Sequence, residues 1–144
     1  MANALYDTFK ERLLDAGALT PGGFDLNTDV IKATLIDTDD YSFSAAHDEY
    51  GGATPDVPNA SKVAVSAALA TPTVTNGTFS TANFSWTAVT GDQSEAIIIW
   101  DDTISAPVTD HLIVYYDTGM SGMPVTPNGG DINVTVNGSG WFSL

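Results

Sequence analysis

The sequence TVTNGTFS at residues 73–80 carries the clearest local signal of the fold. Asn76 and Gly77 stand between two short runs rich in Thr, Val and Phe. Both residues tolerate the positive φ angles that a two-residue hairpin turn requires. The dipeptide therefore predicts a tight antiparallel hairpin with one strand on each side of the turn.

Further short strands are predicted on both sides of this hairpin. Residues 83–89 alternate between apolar and polar side chains, which indicates a half-buried strand. Residues 96–100 (AIIIW) are apolar on both faces and indicate a central strand that is covered on both sides. Regularly spaced strands of this kind predict a mainly β protein, an antiparallel β-sandwich of jelly-roll type. The predicted strands are residues 30–36, 63–67, 73–75, 78–80, 83–89, 95–101, 111–117, 131–136 and 141–142.

The main predicted helix covers residues 3–16, where apolar side chains recur at helical spacing. Asn3 is its candidate N-cap, and Gly17 is placed to end it. The Pro-Gly-Gly at residues 21–23 predicts a hinge, and residues 42–50 are compatible with one further turn of helix. We therefore divide the chain into an N-terminal helical arm with its hinge, residues 1–23, and a β-sandwich domain, residues 24–144.

Composition and charge argue against several classes of function. The chain of 144 residues has 4 Lys and Arg against 18 Asp and Glu, which gives a formal net charge of −14. This balance argues against binding to nucleic acid or to an anionic membrane surface, because both attract cationic side chains. All four cations lie within the first 62 residues. The acids after them are therefore solvated, hydrogen-bonded, bound to cations or turned towards a basic partner.

No residue pattern predicts an active site or a cofactor. His47 and His111 each lack the further ligands at defined spacing that a zinc site needs, and the chain has no Cys. Asp101 and Asp102 are strand neighbours, whose side chains point to opposite faces. Residues 37–40 (DTDD) allow two interpretations, a calcium-binding turn or a solvated acidic turn, although the Gly and Glu of an EF-hand loop are missing. We therefore expect a non-enzymatic protein without a metal or cofactor.

Two apolar segments are candidate surfaces for binding a partner. The short helix has little of its own to pack on and is expected to lie on a neighbouring molecule. Residues 140–144 (GWFSL) carry large side chains that are either tied into the sheet or offered to a partner. Together with open edge strands, these features predict a homo-oligomer. The candidate binding residues are Leu5, Tyr6, Phe9, Leu13, Trp141 and Phe142.

Several longer segments resemble a family of small structural proteins of tailed bacteriophages. They are NALYD at residues 3–7, IKATLIDT at 31–38, TGDQSEAIIIW at 90–100 and PVTPNGGDI at 124–132. The resemblance runs nearly from end to end, and residues 51–61 are its least similar part. It implies a head decoration, or cement, protein that binds the outside of the shell of major capsid protein and stabilises it. The implied location is the outer surface of the virion, after synthesis in the cytoplasm of the bacterial host.

Two other functions stay open at this level. One is a tail, neck or fibre-adaptor protein of the virion. The other is a carbohydrate- or host-surface-binding sandwich, in which exposed Trp or Tyr side chains near Asp101, Asp102 or Asp117 stack on sugars. The number of copies in purified virions separates a decoration protein from a tail or neck protein, and binding to glycans identifies the third class.

Overall fold

The computed structural model describes residues 3–15, 24–103 and 110–144. Within these ranges the protein is mainly β, with antiparallel sheets and one α-helix, as the strand spacing predicted. The strands are β1 (Ala4–Leu5), β2 (Ile31–Ile36), β3 (Lys62–Val65), β4 (Thr73–Thr75), β5 (Thr78–Ser80), β6 (Phe84–Trp86), β7 (Ala96–Asp101), β8 (His111–Tyr116), β9 (Ile132–Val134) and β10 (Phe142–Ser143). The helices are α1 (Asp7–Leu14) and a single 3-10 turn at Asn59–Ser61. Residues 42–50 form no helix.

The core is built on a five-stranded sheet with the strand order β1-β8-β7-β2-β3. β7 lies at its centre and every residue of β7 is buried, which confirms the interpretation of the AIIIW run. β8 is buried almost as completely. Because both faces of these strands are covered, residues 96–100 and 112–116 are apolar throughout rather than alternating.

Two smaller sheets complete the described fold, one with the order β10-β5-β4 and one formed by β6 and β9. The β4–β5 hairpin turns at Asn76 and Gly77, whose φ angles are 51° and 76°, as predicted. β10 pairs with β5, so the C-terminal aromatic segment is tied into a sheet. Gly140 precedes this segment with φ 70°, and a Cβ atom there would lie 2.4 Å from the carbonyl oxygen of Phe79. Only glycine fits this approach.

The N-terminal segment joins the central sheet before its helix begins. β1 pairs with β8, so the chain is extended up to Tyr6, and α1 begins at Asp7 without a side-chain cap. Asn3 instead accepts hydrogen bonds on its Oδ1 from the backbone N–H groups of Asp117 and Thr118. The prediction of Asn3 as N-cap is therefore wrong, because strand pairing with β8 holds this part of the chain extended.

The helix also finds its packing partners within the same chain. Phe9 has no exposed surface, and its ring packs edge-to-face on Phe24 and Phe142 at centroid distances of 5.2 and 5.6 Å. Tyr6 is equally buried and its hydroxyl hydrogen-bonds to that of Tyr41. The expectation that α1 has little of its own to pack on is therefore wrong. The predicted hinge at residues 21–23 and the predicted helix end at Gly17 lie outside the described residues.

Candidate functional site

A cleft of about 700 Å³ is lined by both the five-stranded sheet and the two-stranded sheet. Leu35 and Ile97 come from the central sheet, and Trp86 comes from β6. Most of the remaining lining belongs to two continuous stretches, residues 118–123 and residues 131–137. The second stretch contains β9, which therefore presents consecutive residues to the cleft.

One edge of β9 is open along this cleft. β9 pairs with β6, and no other strand of the described residues pairs with it. The backbone N–H of Val136 is turned towards β6, where it donates to Asn83 Oδ1 at 2.9 Å. Backbone groups of successive residues alternate between the two edges of a strand. The N–H and C=O groups of Asn133 and Thr135 therefore point to the open edge.

The side chains of β9 and of the two residues after it alternate between the two faces of the strand. Ile132 and Val136 are partly buried and Val134 is buried, whereas Asn133 and Thr135 are exposed. This alternation between apolar and polar residues is that of a half-buried strand, and β9 confirms the strand predicted at residues 131–136, although its ladder with β6 is shorter. One face of this strand is therefore polar and exposed, and the other packs on the core.

The Trp side chains at and near the cleft belong to the core. Trp86, Trp100 and Trp141 retain only 3%, 4% and 6% of their surface. The indole N–H of Trp141 donates to Thr81 Oγ1 at 2.9 Å, while that of Trp86 has no acceptor among the described residues. Tyr116 packs on Trp141 at 5.5 Å, and burial raises the pKa of Tyr116 to about 12. These indole rings offer little face on which a sugar can stack.

The six candidate binding residues do not form one exposed surface. Tyr6, Phe9 and Trp141 are buried, and Leu5, Leu13 and Phe142 are partly buried against the same core. Leu13 and Phe142 line a second cavity of about 250 Å³, which Leu144 also lines. Tyr6 and Phe9 have no surface left for a partner, because the helix packs on its own chain. Among the apolar side chains of α1, Leu14 is the exposed one and retains 90% of its surface.

A charged cluster, formed by Arg12, Asp48 and His111, links α1 to β8 and to the segment that contains Asp48. The guanidinium of Arg12 donates to both carboxylate oxygens of Asp48, at 2.5 and 2.9 Å. His111 Nδ1 lies 3.3 Å from Asp48 Oδ1. Burial alone would raise the pKa of Asp48, but His111 and Arg12 outweigh it and hold that pKa well below its usual range. One feature of the sequence pointed to this cluster, because Arg12 is one of only four cations and lies within the predicted helix.

The remaining candidate metal ligands have ordinary protein partners. The hydroxyl of Tyr41 lies 3.0 Å from His47 Nδ1. In the acidic turn, Asp37 Oδ1 accepts the backbone N–H of Asp39 at 2.8 Å, and Glu95 accepts the N–H of Thr38 at 3.0 Å. Among residues 3–15, 24–103 and 110–144, no group of three or more His, Cys, Asp or Glu side chains could hold a metal ion.

All four cations of the chain are engaged by groups of the same chain. Lys10 pairs with Asp7, Arg12 with Asp48 and Lys32 with Asp102, and Lys62 donates to the carbonyl oxygen of Tyr50 at 2.8 Å. Asp102 thus finds a cation from the first part of the chain, because β2 and β7 are neighbours in the sheet. The acidic excess of 14 charges has no cation left to neutralise it.

Comparison with known proteins finds neither a family model nor a curated protein that matches this chain. In the part of the chain that the structure describes, no helix is long and apolar enough to cross a membrane.

Proposed function

We propose that the protein is a non-enzymatic decoration, or cement, protein of a tailed bacteriophage, which binds the outside of the major capsid shell and stabilises it. The observation that carries the proposal is the engagement of all four cations within the chain, against a net charge of −14. The surface offered to a partner is therefore acidic. Such a surface is repelled by packaged DNA and attracted to basic patches on a protein shell.

The described scaffold fits this role. We propose that its sheets form the two layers of a jelly-roll-like sandwich, which would hold the surface loops rigidly. Its open strand edges are available to a neighbouring copy or to the shell, and a homo-oligomer is part of the proposal. The segments that resemble small phage structural proteins support the same assignment. The location that we propose is the outer surface of the virion.

Two described surfaces are candidates for the contact with the shell. One is the acidic turn at residues 37–40, and the other is the stretch at residues 120–130, part of which lines the 700 Å³ cleft. The helix side chains that were predicted to bind a partner pack against the core of the same chain, so they stabilise the fold rather than contact the shell.

Co-sedimentation with undecorated capsids of the same phage tests the proposal directly. We expect saturable binding in hundreds of copies per shell, and a higher temperature of shell disruption in the decorated particles. Absence of binding would overturn the proposal. A few dozen copies or fewer in purified virions would instead favour the tail, neck or fibre-adaptor alternative.

Two single substitutions of equal charge locate the contact. Asp40→Asn removes one exposed charge at the acidic turn, and Asp131→Asn removes one at the cleft while keeping an acceptor for the backbone N–H of Ala88. Each is the control for the other, because both leave a net charge of −13 (from −14). The substitution within the contact should weaken binding roughly two- to fivefold, which is the usual range for exposed charge pairs. If both substitutions weaken binding equally, binding depends on the overall charge of the protein rather than on one local contact.

A further inference from the structure

We infer that the cleft along β9 receives an extended, basic segment of the capsid shell protein, which adds a strand to the open edge of β9. The inference rests on the proposed function and deepens it, since it names the docking site and the chemistry of the partner.

The unpaired backbone supplies the recognition. Asn133 and Thr135 direct their N–H and C=O groups to the edge that no described strand occupies, and their side chains are exposed and polar. Such an edge is a ready template for an added strand, because main-chain hydrogen bonds form there with any extended peptide. On the other edge the ladder with β6 stays intact when the partner binds.

The cleft has the dimensions for an extended segment. Seven consecutive residues, 131–137, line it. At about 3.3 Å per residue such a stretch is roughly 20 Å long. The volume of about 700 Å³ leaves room beside this edge. Met120, Met123 and Ile132, which are partly buried, add apolar surface for alternate side chains of the incoming strand.

Charge selects a basic segment over a second copy of this chain. Among the described residues, Asp131 is the charged side chain that lines the cleft, and no Lys, Arg or His does so. The whole chain carries 14 excess negative charges, so a second copy would bring the same charge to the contact. A segment with Lys or Arg side chains is attracted to this edge more strongly than a second copy, so the copies of the proposed homo-oligomer would meet at another strand edge.

Hydrogen exchange on decorated shells, measured by mass spectrometry, tests the inference at the level of the backbone. In the free protein we expect rapid exchange at the amides of Asn133 and Thr135, and in the decorated shell we expect protection of both. Decorated shells in which these two amides still exchange rapidly would overturn the inference and leave the decoration function standing. A protein that does not bind shells at all overturns both. Protection that appears in the free protein with rising concentration would assign the edge to a second copy.

Two substitution pairs test the same edge by affinity. Asn133→Pro removes an N–H at the open edge, where proline is tolerated, and Asn133→Ala is the control that keeps the N–H. We expect Asn133→Pro to weaken shell binding roughly two- to tenfold, the cost of one or two hydrogen bonds, with Asn133→Ala near wild type. Thr135→Lys should weaken binding roughly two- to fivefold relative to Thr135→Glu. Equal binding within either pair overturns the inference. If Asn133→Pro fails to fold, the Thr135 pair and the exchange measurement decide it.

Discussion

The Phe9→Ala variant is expected to unfold more easily than wild type, because the Phe9 side chain belongs to the core of its own chain. Phe9 has no exposed surface and contacts the rings of Phe24 and Phe142. Truncation of a buried Phe costs about 3–5 kcal/mol, which includes the cavity that it leaves. The free energy of unfolding of a domain of this size is about 5–15 kcal/mol, so the substitution removes a large share of it.

Urea denaturation followed by tryptophan fluorescence measures this effect. With a denaturant slope of about 2 kcal/mol per molar urea, the expected loss lowers the midpoint by about 1.5–2.5 M. Leu14→Ala is the matched control on the same helix, because Leu14 retains 90% of its surface. Its free energy of unfolding should stay within about 0.5 kcal/mol of wild type. If both variants unfold like wild type, α1 is not packed on the body, and a free helical arm that docks on the shell becomes the better explanation.

The other predictions concern the charged cluster and the C-terminal segment. Arg12→Met should lower the free energy of unfolding by about 2–4 kcal/mol in urea denaturation, because it leaves the half-buried carboxylate of Asp48 without its bidentate partner. The double variant Arg12→Met/Asp48→Leu, which also removes this carboxylate, should lose less stability than Arg12→Met, and an equal or larger loss would contradict this reason. The pKa of Asp48 is lower in the folded protein than in the unfolded chain, so its stabilisation is present above about pH 4 and is lost as the pH falls. Acid titration from about pH 5 to pH 2.5 should therefore destabilise wild type more than Asp48→Asn. Gly140→Ala should cost about 2–4 kcal/mol in thermal unfolding, since its Cβ would meet the carbonyl oxygen of Phe79, and a wild-type melting temperature would refute the close approach.

Local patterns predicted most of the strands. The Asn76-Gly77 dipeptide located β4 and β5 residue for residue, because the positive φ angles of the turn are a property of these two residues alone. The apolar run of β7 predicted its central, doubly covered position, and the strand predicted at residues 131–136 contains β9. These features depend on side-chain type and period over a few residues, and the sequence by itself determined them.

Contacts between distant parts of the chain decided the rest. Whether residues 3–5 begin a helix or a strand depends on β8, which lies more than 100 residues further along the chain. The Arg12–Asp48 pair joins residues 36 positions apart, and the burial of Phe9 depends on Phe142. The open edge of β9 likewise exists only because one sheet ends there. None of these contacts leaves a local period in the sequence, since the free energy that selects them comes from surfaces that meet only in the folded chain.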